Sequence, residues 1–294
     1  MARSGRSLLP WSARLRGGDS PAVRPLTSAD VPALRLPWDS RFTPKRLAAH
    51  LARHPDLGWV NPESGEYIVA EPWRHRQEIT SLLEVHARSG RGTLLTRAAD
   101  DLRAAGARLL LLPDGEGLTA PRLYAGHGFA RLERIVHYQL LAGPQAVTRP
   151  LPPLEFSPLT LHHLPTLLAL DHTSFPWLWW NSEDEIVSYA GLDGVQIWLG
   201  WAAGVPVAYA GTTTIDRWGH LDRIAVDPAY HGRGYGAAML AFVLNHLSAA
   251  GVNRVTLSTQ SDNLQSQRLY QGFGFRLTSE VSDIYGEWLV GGNT

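Results

Sequence analysis

The sequence predicts a mixed α/β (α+β) fold built from two tandem copies of one unit. Three segments of the N-terminal half return in the C-terminal half in the same order. The pairs are Pro25-Leu26-Thr27 with Pro158-Leu159-Thr160, Leu102-Arg-Ala-Ala-Gly106 with Leu247-Ser-Ala-Ala-Gly251, and Arg122-Leu-Tyr124 with Arg268-Leu-Tyr270. The offsets grow slowly, from 133 to 145 and 146, as small insertions would produce. Because chance similarity does not preserve both order and spacing, we infer an internal duplication.

Each copy combines short apolar runs, typical of strands, with longer segments of helical periodicity. In the first copy, strands are predicted at residues 23–26, 67–70, 79–85 and 108–112, and a helix precedes the last of them. In the second copy, a strand turns into a helix over 159–170, a hairpin surrounds Gly204, and strands follow at 255–257 and 281–285. Because strands and helices alternate, we expect a mixed sheet with helices on both faces.

The ends of the two copies are marked by composition. Residues 1–20 mix Arg, Gly and Ser without a periodic apolar face, and we predict a flexible arm. Proline crowds residues 143–153, and because proline stiffens a chain and donates no ladder hydrogen bond, we predict a linker there. The first copy is therefore expected at 21–142 and the second at 154–294.

Composition limits the classes of function. The chain has 294 residues with 27 basic and 27 acidic side chains, so no net charge favours nucleic acid or an anionic membrane. It contains no cysteine, which excludes disulfides and thiolate chemistry and fits a cytoplasmic location. No apolar run approaches a membrane span. We expect no metal, since metal-binding motifs are absent, and a monomer, since two copies already supply a dimer-like pair.

The segment 221–251 reads as a strand, an anion-binding loop and a helix. The strand should end near Val226, before Asp227-Pro228, and the loop His231-Gly-Arg-Gly-Tyr-Gly236 follows. Apolar residues then repeat at helical spacing until Gly251, which stands at the C′ position. Glycines leave backbone N–H groups accessible, and a helix N-terminus carries about half a positive charge. The loop therefore suits a phosphate or pyrophosphate.

The loop has three alternative interpretations. A Walker loop requires a lysine after the glycines, and none follows here. A dinucleotide fingerprint is formally matched by Gly232, Gly234 and Ala237, but that fingerprint starts directly after a strand, whereas five residues including Pro228 intervene here. A glycine turn that binds nothing is the third, and the strand and helix around the loop count against it.

The segment Leu221-Asp-Arg-Ile-Ala-Val226-Asp-Pro-Ala-Tyr-His231-Gly-Arg-Gly-Tyr-Gly236 resembles the acyl-CoA-binding segment of the GNAT superfamily of N-acetyltransferases. A second segment, Asn263-Leu-Gln-Ser266-Gln-Arg-Leu-Tyr270-Gln-Gly-Phe-Gly274-Phe275, is similar to another motif of that family and follows in the right order. The resemblance implies mostly antiparallel mixed sheets flanked by helices and an acyl-CoA co-substrate. One departure is His231, where the family usually has Gln or Arg.

The resemblance also implies residue roles. Backbone groups of Ile224, Ala225 and Val226 would hold the acetyl-pantetheine arm, and Tyr270 would be the general acid. The alternative interpretation of Tyr270 is a buried tyrosine with a structural hydrogen bond. The remaining positions expected to bind acyl-CoA are His231, Gly232, Arg233, Gly234, Tyr235, Gly236, Ala237, Asn263 and Ser266.

The general base is predicted from strand alternation together with the resemblance. Alternation puts His220 and Asp222 on the same face as Ile224 and Val226, unless a bulge changes the parity. The resemblance places the family's base near His220, and an imidazole with an ordinary pKa of about 6.5 suits proton removal near neutrality. We rank His220 first and Asp222 second; the alternative is a surface histidine at a strand end.

The two copies are not equivalent. Aligning Gly90-Arg91-Gly92 with Gly232-Arg233-Gly234 places Leu94 opposite Gly236, and Gly117 takes the place of Asn263. A leucine at that loop position should crowd a pyrophosphate. We therefore expect the first copy to be degenerate, binding acyl-CoA weakly or not at all, and the second to carry the chemistry.

The predicted function is transfer of an acetyl or short acyl group from acyl-CoA to a primary amine of unknown identity, by direct attack. Trp177, Trp179 and Trp180 stand where an aromatic acceptor pocket is possible, and core packing is the equal alternative. The alternative function is a pseudoenzyme that binds acyl-CoA as a sensor or scaffold.

Overall fold

The computed structural model describes residues 23–114, 124–141 and 150–290. They form two compact units: one comprises the residues up to 71 together with 82–105, and the other comprises 72–81 and the residues from 106 onward. The predicted arm, residues 1–20, and most of the predicted linker lie outside the described residues. The boundaries of the two sequence copies stay a prediction.

The first unit contains short antiparallel strands and two helices. In chain order these are β1 (Arg24–Pro25), α1 (Pro44–Arg53), β2 (Gly58–Val60), the start of β3 (Tyr67–Trp73), the end of β4 (Arg76–His86), and α2 (Arg91–Ala104). Helix α1 begins where Pro44 follows Thr43, whose hydroxyl accepts a hydrogen bond from the Arg46 N–H at 3.3 Å. Its buried Leu47 and Leu51 pack with Leu26, Val60 and Tyr67 in the core of this unit.

The second unit contains the rest of the first copy and all described parts of the second. Its further elements are β5 (Leu109–Asp114), β6 (Ala130–Leu141), β7 (Glu155–Pro158), α3 (Leu164–Ser174), α4 (Glu183–Ala190), β8 (Val195–Ala202), β9 (Val205–Ile215), β10 (Trp218–Val226), α5 (Tyr235–Ala249), β11 (Arg254–Gln260), α6 (Leu264–Gly272) and β12 (Arg276–Trp288).

The sheet of the second unit has the order β4-β5-β12-β6-β11-β10-β9-β8-β7. The pairs β4–β5 and β10–β11 are parallel, and every other neighbouring pair in it is antiparallel. The prediction of a mixed, mostly antiparallel sheet with helices is confirmed.

The last strands of the two copies are exchanged. Strand β6, from the first copy, pairs with β11 of the second copy, with Val255 opposite Leu140 and Gln260 opposite Ile135. Strand β12, from the second copy, pairs with β5 of the first, with Tyr285 opposite Leu112. Each copy thus supplies one strand beside the fifth strand of the other. Strand β12, which follows β11 in the chain, therefore lies between two strands of the first copy, β5 and β6.

Helix α5 lies in the main hydrophobic core. Its buried face consists of Ala237, Ala238, Met239, Leu240, Val243, Leu244 and Leu247. As predicted, β10 ends at Val226 and α5 is followed at its C-terminus by Gly251, with φ +83°. Such a φ is easily reached only by glycine, so the helix ends where the sequence places it.

No helix in the described part of the chain is long and apolar enough to cross a membrane.

Candidate functional site

A cavity of about 1320 Å³ opens where β10 and β11 separate. The parallel pairing joins residues 218–221 to residues 254–257 and then stops. Past that point Ile224, Ala225 and Val226 line the cavity from β10, while Gln260 lines it from β11. Strand backbone without a neighbour has free hydrogen-bonding groups. The gap can therefore accept an extended polar ligand between the two strands.

The glycine loop and α6 form the outer part of the cavity wall. Of the positions that the sequence predicts for acyl-CoA, those lining the cavity are Ile224, Ala225, Val226, His231, Gly232, Gly234, Tyr235, Gly236, Ala237, Asn263 and Ser266. Arg233 is not among the lining residues; its guanidinium carbon lies 5.1 Å from the centre of the Tyr230 ring. Apart from Arg233, one cavity thus gathers both predicted motifs.

The loop is held by short-range contacts of its own. The Asp227 carboxylate accepts a hydrogen bond from the Ala229 N–H at 2.8 Å, and the His231 ring nitrogen Nε2 lies 2.8 Å from the Val226 carbonyl oxygen. Gly232 and Gly234 have φ of +75° and +85°, a region that side chains rarely adopt. The imidazole of His231 therefore braces the loop against the end of β10.

Backbone N–H groups converge at the start of α5. In the described part of the chain, the N–H groups of Gly232 and of residues 234–237 have no hydrogen-bond acceptor, whereas the Ala238 N–H donates to the Gly234 carbonyl at 3.0 Å. Such unpaired donors, with the positive end of the helix dipole, favour an anion. The loop has the donor set of a diphosphate site.

Tyr270 lies just behind the cavity wall. It is 4% exposed, and its ring centre lies 6.2 Å from that of Tyr138 and 6.0 Å from that of Phe275. Burial raises its pKa to about 12, although a hydrogen bond with the Ser266 side chain lowers it. Its helix neighbours Leu269 and Gly272 line the cavity, as does Ser266. The phenol is therefore protonated at neutral pH and lies one side chain from the cavity.

A bulge in β10 changes the face on which His220 lies. Leu221 is opposite Thr212, but Arg223 is opposite Gly211, so Asp222 is an extra residue in the strand. Leu221 before the bulge and Ile224 and Val226 after it all face the core around α5. Simple alternation would place Leu221 on the face opposite to the other two residues. The expectation that His220 and Asp222 share a face with Ile224 and Val226 is wrong for this reason.

His220 and Asp222 have polar partners outside the cavity wall. The His220 ring nitrogen Nδ1 lies 2.7 Å from the Thr256 hydroxyl, and Asp222 accepts hydrogen bonds from Tyr189 at 2.7 Å and Thr213 at 2.8 Å. Burial lowers the pKa of His220, with the Asp222 charge acting in the opposite direction. The imidazole is therefore neutral at neutral pH. Neither residue lines the cavity.

A buried ionic cluster supports the segment from Ser174 to Pro176, which lines the cavity on the α3 side. The fully buried Asp171 pairs with Arg223 at 2.6 Å, and it accepts hydrogen bonds from the Asn181 N–H at 2.9 Å and the Tyr209 hydroxyl. The Arg223 guanidinium also lies 3.8 Å from the centre of the Phe175 ring. Burial of a carboxylate is costly, and these ionic and hydrogen-bond partners of Asp171 offset that cost. No periodic pattern in the sequence indicates this cluster.

Glu133 is a cavity residue that the sequence analysis missed. It lies on the exchanged strand β6 and lines the cavity with Asp262. Burial raises its pKa, the Asp262 charge acts in the same direction, and the Trp179 indole N–H acts against them. The buried Trp179 Nε1 has no hydrogen-bond acceptor of good geometry among the described residues. Only the pairing of β6 with β11 places this carboxylate here, and no local sequence signal indicates it.

The tryptophan segment belongs mainly to the core. Trp177 and Trp179 pack in a cluster with Ile79, Leu109 and Trp288, and Trp180 stacks on His172 at 4.6 Å. None of the three tryptophans lines the cavity. This supports the packing interpretation over the acceptor pocket. Across the described ranges, no group of three or more His, Asp or Glu side chains is arranged to hold a metal ion.

The glycine loops of the two copies align differently from the prediction. The first hydrogen bond of α2 joins the Leu94 N–H to the Gly90 carbonyl at 3.0 Å, just as Ala238 is joined to Gly234 in α5. Gly92 is therefore opposite Gly236, and Leu94 is a buried core residue. Leu94 therefore lies opposite Ala238, two residues beyond its predicted position, and the prediction that it crowds the loop is wrong.

Comparison with known proteins agrees with this geometry. Residues 148–275 match the model described as "Acetyltransferase (GNAT) family". The spermine/spermidine N(1)-acetyltransferase of Bacillus subtilis (strain 168) is 40% identical over 68 residues, which are 23% of this chain and 44% of that protein. The chain thus spans less than half of that relative. The mycothiol acetyltransferase of Thermobispora bispora is 27% identical over 288 residues, 90% of each chain.

A solved tandem GNAT protein from the clavulanic acid biosynthesis pathway aligns over 92% of this chain and 99% of its own, with 16% identity and a TM-score of 0.50. This likeness concerns the fold, and it extends through both copies. Residues 148–275 thus match the GNAT acetyltransferase family, and the likeness in fold to a tandem GNAT protein extends over most of the chain.

Proposed function

We propose that the second copy transfers an acetyl or short acyl group from acyl-CoA to a primary amine by direct attack. One observation carries the proposal: the glycine loop at residues 232 and 234–237 and the strand edge at residues 224–226, which β11 does not cover, line the same cavity. Acyl-CoA has a diphosphate and an amide-containing arm that ends in a thioester, and these match the two parts of the cavity.

The residues present fit that co-substrate. Gly232, Gly234 and Gly236 leave the mouth of α5 without side chains, so a diphosphate can approach the amides. The carbonyl and N–H groups of Ile224 and the N–H group of Val226 can hold the pantetheine amides as an additional strand would. The helix N-terminus also supplies partial positive charge toward the diphosphate.

The reaction needs a neutral amine and a proton for the departing sulfur. The nitrogen forms a bond to the thioester carbon, the carbon–sulfur bond breaks, and the amine loses its extra proton to a base. Tyr270, protonated at neutral pH, is our proposed acid for the thiolate. His220 is our proposed base and Asp222 the second candidate, each acting through water because neither lines the cavity.

The role of His220 predicts a pH dependence. Since burial lowers its pKa, activity that needs neutral His220 should rise with pH through a value below about 6.5. Asp222 opposes this shift and His137 reinforces it. In His220→Gln we expect kcat/KM to fall about tenfold or more and the rising limb to disappear. A pH profile of kcat/KM measures this, and an unchanged limb in His220→Gln would remove the residue from the mechanism.

Glu133 is our proposed contact for a cationic acceptor. Before it loses a proton the amine is an ammonium ion, and Glu133 and Asp262 give this side of the cavity negative charge. We expect Glu133→Gln to raise KM for the amine about tenfold and to leave acetyl-CoA affinity unchanged. Steady-state kinetics with a diamine substrate tests this. Glu280→Gln, an exposed β12 control, should behave as wild type; an unchanged amine KM in Glu133→Gln contradicts the role.

The competing proposal is a sensor or scaffold that binds acyl-CoA without turnover. The name of one relative suggests the first amines to test, which are spermine and spermidine. Release of free thiol from acetyl-CoA with any amine of this panel supports the transferase. Binding of acetyl-CoA without thiol release across a broad amine panel supports the sensor.

A further inference from the structure

The first copy holds one of its own carboxylates at the loop that precedes α2. Glu66 follows Gly65 in the turn between β2 and β3 and is 7% exposed. One carboxylate oxygen accepts hydrogen bonds from the Arg88 N–H at 2.6 Å and the Ser89 N–H at 2.9 Å, and the other accepts from the Gly90 N–H at 2.8 Å. Three consecutive backbone donors thus converge on one anion.

This loop corresponds to the anion loop of the second copy. Gly90 and Gly234 are the N-cap residues of α2 and α5, and each accepts the first helical hydrogen bond from the residue four positions later, at 3.0 Å. The two helices also end alike, at Ala104 before Gly106 and at Ala249 before Gly251. The amides bonded to Glu66 therefore lead into the helix that matches the diphosphate-binding helix.

The carboxylate is held in its charged form. Burial pushes the pKa of Glu66 upward, but the N–H groups of Ser89, Arg88 and Gly90 outweigh burial and lower it below its usual range. A group with a lowered pKa stabilises the fold above its unfolded pKa, and the stabilisation is lost as the pH falls through the folded value. The contact is also close, since a Cβ on Gly90 would lie 2.3 Å from Glu66 Oε2.

The second copy has no such group at the matching position. Its β8–β9 turn contains Gly204, with φ +76°, as the β2–β3 turn contains Gly65, with φ +71°. The residue after that glycine is Val205 in place of Glu66, and it is 44% exposed. No side chain among the described residues accepts a hydrogen bond from the N–H groups of 232–234. The two loops therefore differ by one carboxylate.

We propose that Glu66 occupies a latent phosphate site in the first copy, as an internal substitute for the diphosphate of an acyl carrier. The first copy thus keeps an anion-binding loop that its own chain closes, and the protein binds one acyl-CoA per chain. Removal of the Glu66 carboxylate opens the loop to pyrophosphate. The stoichiometry of one acyl-CoA per chain rests on the proposed site in the second copy, whereas the opening of the first loop does not depend on binding or turnover in the second copy.

The test uses isothermal titration of the full chain in a Gly236→Leu background, in which the second loop is closed. We expect no pyrophosphate binding in Gly236→Leu itself and one site per chain after Glu66→Ala is added, at least tenfold tighter than any residual binding. Glu63→Ala, in the same turn but exposed, is the matched control and should open no site. Soaked crystals of the Glu66→Ala protein should place pyrophosphate at residues 88–90.

Two results overturn the proposal. One is a folded Glu66→Ala protein, with a cooperative melting transition, that binds no pyrophosphate at residues 88–90. The other needs no variant: a wild-type chain that binds two molecules of acetyl-CoA, one of them at residues 88–90. Failure of acetyl-CoA to bind the wild type at residues 232–237 would instead contradict the proposed function. The pyrophosphate titration of the Glu66→Ala protein would still decide the proposal for the first copy.

Discussion

Gly236→Leu should weaken acetyl-CoA binding at least a hundredfold, a loss of about 2.7 kcal/mol. Gly236 stands in the first turn of α5 and lines the cavity between Val226 and Leu269. A leucine there fills the space in front of the amides at the mouth of the helix. The diphosphate would lose its approach to several N–H donors at once, each worth more to a charged acceptor than to a neutral one.

The variant should nevertheless fold. Gly236 is helical and not at positive φ, and leucine is a better helix former than glycine by nearly 1 kcal/mol. A Cβ at this position would lie 3.5 Å from Leu269 Cδ2 and 3.7 Å from Val226 Cγ2, which are ordinary contacts. Gly236→Ala is therefore the matched control and should bind within a few-fold of wild type. Isothermal titration measures both, and full affinity in Gly236→Leu would locate the diphosphate elsewhere.

Tyr270→Phe should lower kcat about a hundredfold and leave the dissociation constant of acetyl-CoA nearly unchanged. Loss of a positioned general acid typically costs factors of this size. The substitution removes only the hydroxyl, so the ring keeps its packing against Tyr138 and Phe275. Removal of the hydroxyl should cost about 1 kcal/mol of stability or less. The cavity wall should therefore keep its shape.

Tyr138→Phe is the control for this second prediction. Tyr138 is 1% exposed in the same core, and its hydroxyl donates to Gln267 at 3.1 Å. Its loss should change stability by a similar amount and leave kcat within a few-fold of wild type. Pre-steady-state release of the thiol separates chemistry from product release. A Tyr270→Phe enzyme with full kcat would assign the phenol a purely structural role.

The sequence by itself determined the parts of the site that depend on neighbouring residues. Glycines at 232 and 234 permit positive φ, the apolar repeat from Met239 builds one helix face, and Gly251 ends that helix. These features need no partner from elsewhere in the chain. The duplication was likewise visible, because repeated order and spacing are properties of the chain alone.

Only the tertiary structure decided what surrounds that loop. The exchange of β6 and β12 brings Glu133 to the cavity, the bulge at Asp222 turns His220 to the other face, and Glu66 rather than Leu94 closes the first loop. Each depends on pairing or hydrogen bonding between residues distant in sequence. Local patterns specify an element and its buried face, but the register and order of strands depend on the energy of many long-range contacts together.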